Sequence, residues 1–154
     1  MLPPSALPRR EDKVAEKATT PDLVELTRRF VEAWNRRDID AWTGFFAPDA
    51  VWEVVALDTS VEGVAAIRSF GEEWLVAFAE YAVQPEEILD LGNGVVFAVT
   101  RQNVRPAGST SGALLQEVWV YAFVWLEGML VRGSVYPDPD EGRAAAERLA
   151  EDRG

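Results

Sequence analysis

Apolar side chains recur at three- and four-residue steps early in the chain and at two-residue steps later, which divides the sequence into a helical and a strand-forming part. In "TTPDLVELTRRFVEAWNRRD", Leu23, Leu26, Phe30, Val31 and Trp34 fall on one helical face. Arg28, Arg29, Glu32, Arg36 and Arg37 fall mainly on the other. Thr20 suits the N-cap of this helix and Pro21 its first position. A second short helix is predicted after Asp38, with Ile39, Trp42, Phe45 and Phe46 as its stripe, and Pro48 closes it. "AVWEVV" then reads as a strand and "ALDTS" as a loop. Residues 61–81 read as a longer helix whose Ile67, Phe70, Trp74, Phe78 and Tyr81 line one side.

From there the period is two. "VQPEEILDL" is a strand that Pro85 confines to an edge or a bulge, and "GNG" is a tight turn into "VVFAVTRQNVR". A polar loop, "PAGSTSG", leads to "ALLQEVWVYAFVWL". Glu127-Gly128 turns the chain into "MLVRGSVY", and "PDPDEGRAAAERLAEDRG" ends it as a short helix. Helices segregated from long antiparallel strands define an α+β domain. Residues 1–20 lack periodicity and are expected to form a mobile tail, residues 21–150 the domain, and residues 151–154 a frayed end.

Composition adds mainly exclusions. With 154 residues, 48% of them hydrophobic, the chain suits one domain with one core. It has neither cysteine nor histidine. Thiol chemistry, Cys-based metal sites, His-dependent triads and His-ligated haem are therefore excluded, and acid–base work would fall to Asp, Glu, Tyr, Lys or water. The net charge is −11, and both lysines, Lys13 and Lys17, lie in the tail. Nucleic acid and anionic membranes are poor partners for such a surface. No run can span a bilayer and the N-terminus lacks the apolar core of a signal peptide, so the expected location is the cytoplasm.

The ordered set of elements resembles the nuclear-transport-factor-2-like superfamily, and within it the SnoaL-like branch. The likeness is carried by "FVEAWNRRDIDAWTGFFAPDAVWE", "VEGVAAIRSF", "LDLGNGVVFAV" and "WLEGMLVRGSVYPDPDEGRAAA", and covers about residues 21–150. The resemblance implies a cone-shaped single domain in which a strongly curved antiparallel sheet wraps around helices and leaves a pocket at its open end. It also implies cofactor-free activity of the isomerase, cyclase, dehydratase or hydrolase kind on a small apolar, ring-containing metabolite. The alternative it offers is a non-catalytic, homodimeric ligand-binding or protein-interaction module. Homodimers in such a fold pair through the outer face of the sheet. Fold does not decide among these.

Candidate site residues follow from strand faces and from the resemblance together. Trp34 and Trp42 read as core, and Asn35, Asp38 and Asp40 as helix-end residues. Trp52 and Glu53 alternate in direction, so one faces inward; Trp52 is favoured as pocket wall and Glu53 is retained as a candidate. Trp74 and Phe78 are expected on the pocket side of the long helix. Arg101 and Asn103 share a face with Val95, Phe97 and Val99, where an arginine must pair or bind something. Limonene-epoxide-hydrolase-like members carry Arg-x-Asp on this strand. Here Asn103 replaces the acid, and the second acid's position falls near Val135, so that mechanism is not expected. On the next strand the row of Glu117, Trp119, Tyr121, Phe123 and Trp125 lines either the pocket or a dimer face. SnoaL-like members often place a histidine near Tyr121; Tyr121 can still donate a hydrogen bond to a carbonyl or enolate. Arg132, Ser134 and Tyr136 share a face, with Arg132 either an anion anchor or a cross-strand ion-pair partner. Asp58 lies in a loop near the position of an acid in the family. A catalytic reading would pair Asp58 or Glu53 as base with Tyr121 or Arg101 as stabiliser of negative charge.

Overall fold

The computed structural model describes residues 22–108 and 115–154. The expected tail, the expected Thr20–Pro21 helix start and most of the "PAGSTSG" loop lie outside these residues. Helix α1 spans Leu23–Asn35, and its cap is Asp22, whose Oδ1 accepts from the N–H groups of Val24 and Glu25. Helix α2, Ile39–Thr43, is capped by Asp38 as predicted. It stops before Phe46, which opens strand β1, Phe46–Val54. A single 3-10 turn at Val55–Leu57 leads to strand β2, Thr59–Glu62, where the hydrophobic pattern indicated only a loop and a helix start. Helix α3 is Val64–Ala77, and strands β3 (Phe78–Gly92), β4 (Val95–Pro106), β5 (Leu115–Leu126) and β6 (Met129–Tyr136) follow. Helix α4, Pro139–Arg153, is capped by Asp138.

The strands form one unclosed six-stranded curved sheet in the order β2-β1-β6-β5-β4-β3. All neighbours are antiparallel except β1 and β6, which run parallel, so the sheet is mixed rather than wholly antiparallel. Two apolar clusters lie on its opposite faces. The larger, inner one packs α1, α2 and α3 against Trp52, Val96, Ala98, Phe123 and Trp125. The smaller, outer one packs Ala146 and Ala150 of α4 against Val95, Phe97, Val120, Ala122 and Val124. Gly142 lets α4 sit down on the sheet, because a Cβ there would collide with the side chain of Val120. This is an α+β domain of the cone-shaped kind. Among the described residues no helix is long and apolar enough to cross a membrane.

The longest correction concerns residues 78–81. The four- and three-residue steps from Trp74 to Phe78 to Tyr81 fit a helix, yet Phe78 and Tyr81 belong to β3. A register shift between Phe78 and Glu80 inserts one residue, so two strand positions three apart come to one side. Their ring centroids are 5.2 Å apart. Arg37 holds this junction, donating to the carbonyls of Leu75, Phe78 and Ala79. Asn35 braces the free edge of β3: its amide donates to the Val83 carbonyl at 2.7 Å and accepts from the Val83 N–H at 2.8 Å.

Candidate functional site

An aromatic cavity of about 60 Å³ opens between the inner face of the sheet and helices α1 and α3. Phe30 and Trp34 of α1 and Trp42 of α2 form its base. Phe70 and Trp74 of α3 and Tyr81 of β3 stand at one side, and Trp52, Trp119, Tyr121 and Phe123 of the sheet form the opposite wall. Trp52 lies flat over Gly133, where a Cβ would overlap its six-membered ring. The ring of Tyr121 stacks on Phe123 at 5.3 Å and 12°. These contacts fix Trp52, Tyr121 and Phe123, since closely packed aromatic rings have few alternative rotamers without strain.

Strand alternation decides what reaches the cavity. On β5, Trp119, Tyr121, Phe123 and Trp125 point inward, and Val120, Ala122 and Val124 face α4. The aromatic row is therefore cavity wall and core rather than outer face. Trp125 lies deeper, its indole N–H donating to Thr27 at 3.1 Å. On β4 the inward residues are Val96, Ala98, Thr100 and Gln102, whereas Val95 and Phe97 belong to the outer cluster. Arg101 and Asn103 share that outward side, so neither lies at the cavity. Arg101 pairs with Glu86 at 2.9 Å on the surface.

Glu53 points to the sheet's outer side, the reverse of Trp52. Its carboxylate accepts from Arg132 and from Ser134, each at 3.2 Å. Arg132 thus has the cross-strand partner that was one of its two expected roles. Tyr136 shares this outer face and packs near Gly142 of α4. Its hydroxyl is pushed above the ordinary phenol value by burial, aided by the charge of Glu53. Asp58 is exposed in the left-handed conformation, φ 51°, at the end of the 3-10 turn, a backbone role Asp tolerates better than most residues. Of the sequence candidates, the structure brings Trp52, Trp74, Trp119 and Tyr121 to the cavity. Phe78 stands next to it, its ring 5.5 Å from Trp74. Glu53, Asp58, Arg101, Asn103, Arg132 and Tyr136 lie elsewhere.

Beside Tyr121, the polar groups of the site, Gln102 and Thr100, are ones the sequence did not single out. Gln102, 1% exposed, is bonded to both Tyr81 and Tyr121, the second at 2.5 Å, and to Thr100 at 3.3 Å. Thr100 in turn donates to the Trp119 carbonyl at 2.9 Å. Burial pushes the Tyr121 hydroxyl up to about 12, with hydrogen bonding to Gln102 and Thr100 drawing it partly back. Tyr81 is raised further, by burial first and then by the proximity of Tyr121. The detectable signal for this network was two polar residues, Thr100 and Gln102, alternating with apolar ones on the face opposite Arg101.

This arrangement agrees with what the chain matches. Residues 27–132 match the model of the SnoaL-like domain. The chain belongs to the SnoaL-like domain family. No curated protein matches its sequence. Among solved structures, the SnoaL-like chain is similar to an NTF2-like protein of unknown function from Burkholderia pseudomallei, with 20% identity, 79% of this chain and 95% of that one covered, and a TM-score of 0.65. It is also similar to a protein with a ketosteroid isomerase-like fold from Catenulispora acidiphila, in complex with trimethylamine, at 13% identity, 83% and 94% coverage and a TM-score of 0.68. An LEH-like epoxide hydrolase from M. tuberculosis aligns at 14% identity, 81% and 89% coverage and a TM-score of 0.64. At these identities the SnoaL-like chain shares the fold with them.

Proposed function

We propose that this SnoaL-like protein binds a small, mostly apolar, ring-containing molecule in its aromatic cavity and acts as a ligand-binding module. The observation that carries the reading is the lining. Fourteen side chains surround the cavity, and among the described residues none of them is a carboxylate. A concave, aromatic site with a few convergent polar groups is the usual make-up of a small-molecule pocket. Neither Glu53 nor Asp58 stands where a base for a cavity-bound substrate would have to be. The cavity is less than half the roughly 150 Å³ that holds benzene in an engineered apolar core. A ring therefore seats as the half-buried Trp74, Phe78 and Trp119 at its mouth swing outward.

The test is tryptophan emission. Five of the six tryptophans line the cavity, so a ligand seated there shifts or quenches a large share of the signal. Native mass spectrometry of the purified protein identifies any molecule it carries. Unchanged emission across a broad set of small aromatic and alicyclic compounds, with no carried molecule, overturns the reading.

A catalytic reading has one observation of its own. Glu117 shares the inward face of β5 and accepts from the Trp119 indole N–H at 3.1 Å. It is exposed beside the mouth, and its charge reaches Tyr81. An enzyme on this scaffold would take its base from there.

Pairing as a homodimer through the outer sheet face completes the proposal. Helix α4 covers one end of that face, and the other end carries Val118, 37% exposed, opposite Arg101 in the β4–β5 register. Asn103 lies there with its Oδ1 buried and unbonded among the described residues. Light scattering is expected to give twice the chain mass; a monomer across a wide concentration range would contradict it.

A further inference from the structure

The cavity is walled almost wholly by aromatic rings. Ten of its fourteen lining side chains are aromatic, five of them tryptophans, and the other four are valines. Ordinary cores draw heavily on leucine and isoleucine, and neither lines this space. Neighbouring rings stand steeply to one another: Trp34 to Tyr81 at 84° and 5.9 Å, Trp74 to Tyr81 at 76° and 6.0 Å, Trp42 to Trp52 at 75° and 6.1 Å. The edge of one ring meets the face of the next, as walls meet a floor, which leaves faces toward the enclosed space. A ring face is the negative side of the aromatic quadrupole.

The charge around the site has the same sign. No lysine or arginine lines the cavity, the chain carries a net charge of −11, and the charge of Glu117, beside the mouth, reaches Tyr81. The Glu117 carboxylate accepts from the Trp119 indole N–H at 3.1 Å, which polarises that ring toward greater electron density. The hydroxyls of the wall are occupied. Tyr81 and Tyr121 both bond to Gln102, and Tyr121 also bonds to Thr100.

We propose that the cavity is an aromatic cage for a quaternary ammonium ligand, a small ring compound whose permanently methylated nitrogen sits among the tryptophans, with Glu117 as the counter-charge at the mouth. The inference rests on the binding reading above and names its ligand class. Tryptophan is the strongest cation–π partner among the side chains, and the attraction grows where water is excluded. An anion would meet negative ring faces and an acidic surface. A primary ammonium would give up its hydrogen bonds to water without replacement, because the tyrosine hydroxyls are already engaged. A quaternary nitrogen has no N–H to satisfy, and its methyl groups gain from burial as a hydrocarbon does. A neutral hydrocarbon gains that burial alone.

Phenyltrimethylammonium, tert-butylbenzene and benzylammonium are the probes for the full-length protein: the cation, its neutral twin of the same shape, and a cation that keeps its N–H groups. Calorimetric titration is expected to rank phenyltrimethylammonium roughly three- to thirtyfold tighter than tert-butylbenzene, and tighter than benzylammonium. Protein grown with a ring-fluorinated tryptophan has ring faces poorer in electrons and nearly unchanged in shape. It is expected to lose part of the cation's advantage and to bind tert-butylbenzene as before. Glu117→Gln is expected to weaken the cation by roughly two- to fivefold at low salt and to leave tert-butylbenzene unchanged. If the fluorinated protein does not fold, Glu117→Gln and the comparison of the three probes decide. Binding of tert-butylbenzene or benzylammonium as tight as that of phenyltrimethylammonium, or a cation preference that either change leaves untouched, overturns the inference and leaves cavity binding standing. Failure of all three probes to bind overturns both.

Discussion

Phe30→Ala is expected to be among the most destabilising single substitutions in this protein, at about 3–5 kcal/mol. Phe30 is 3% exposed and lies at the centre of the inner cluster. Its ring centroid is 5.8 Å from Trp42, 5.7 Å from Phe45, 5.5 Å from Phe46, 6.2 Å from Trp52, 5.6 Å from Phe123 and 6.3 Å from Trp125. Truncation removes the transfer free energy of a buried ring and leaves a void that six large, interlocked rings cannot collapse into. A domain of this size holds about 5–15 kcal/mol in all, so the loss is a large share of it. Thermal unfolding is expected to shift down by roughly 10 °C or more. Val76→Ala, at a side chain 79% exposed, is the control and is expected to stay within about 0.5 kcal/mol. A midpoint for Phe30→Ala within a degree or two of the parent would show that the inner cluster is not the principal core.

Alkaline solution is expected to unfold the protein cooperatively, and its tyrosines are expected to ionise with the unfolding rather than before it. The chain has three tyrosines, and all three are pushed above the ordinary phenol value, chiefly by burial. In the unfolded chain each gives up its proton at about pH 10. Below that pH both states hold the protons, and stability is at its full value. Above it the unfolded chain releases protons that the folded chain keeps, so stability falls as pH rises from about 10 toward 12. Two such tyrosines, Tyr81 and Tyr121, cost up to roughly 3 kcal/mol for each further pH unit. Near-ultraviolet tyrosinate absorbance should therefore stay low at pH 10 and appear together with the loss of circular dichroism. Reversible ionisation of Tyr81 or Tyr121 near pH 10 in a protein that keeps its dichroism would contradict the buried network.

The helical stripe of α1, the Asp38 and Asp138 caps, the hairpin turns and the long strands were legible because each rests on a local pattern. The cavity was only half legible. Alternation along β4 sorts Arg101 and Asn103 from Thr100 and Gln102, but it does not say which set faces in. That choice is made by where the helices pack, a long-range fact. Charge drew attention to Arg101 and Glu53, and both are explained by partners on neighbouring strands, Glu86 and Arg132. Gln102 drew none, although its amide, which can both donate and accept, is the group able to join two phenols. Strand β2 was hidden because Thr59–Glu62 is too short to establish a period. The start of β3 was hidden because a bulge can imitate helical spacing.

Strand β6 has a consequence for the order in which the molecule can be made. It stands between β1 and β5 and is the strand that joins the β1–β2 hairpin to the β3–β4–β5 meander. A nascent chain that has passed β5 therefore holds two separate sheet fragments, each with an unpaired edge, and no shared cavity wall. Trp52 rests on Gly133, so the two halves of the aromatic wall meet only when the last strand slots in beside the first. Closure of the sheet therefore waits on β6 and on the long loop that brings it back beside β1. Truncation within β6 removes the seam on which the site depends, even though most of the residues that line the cavity are still present.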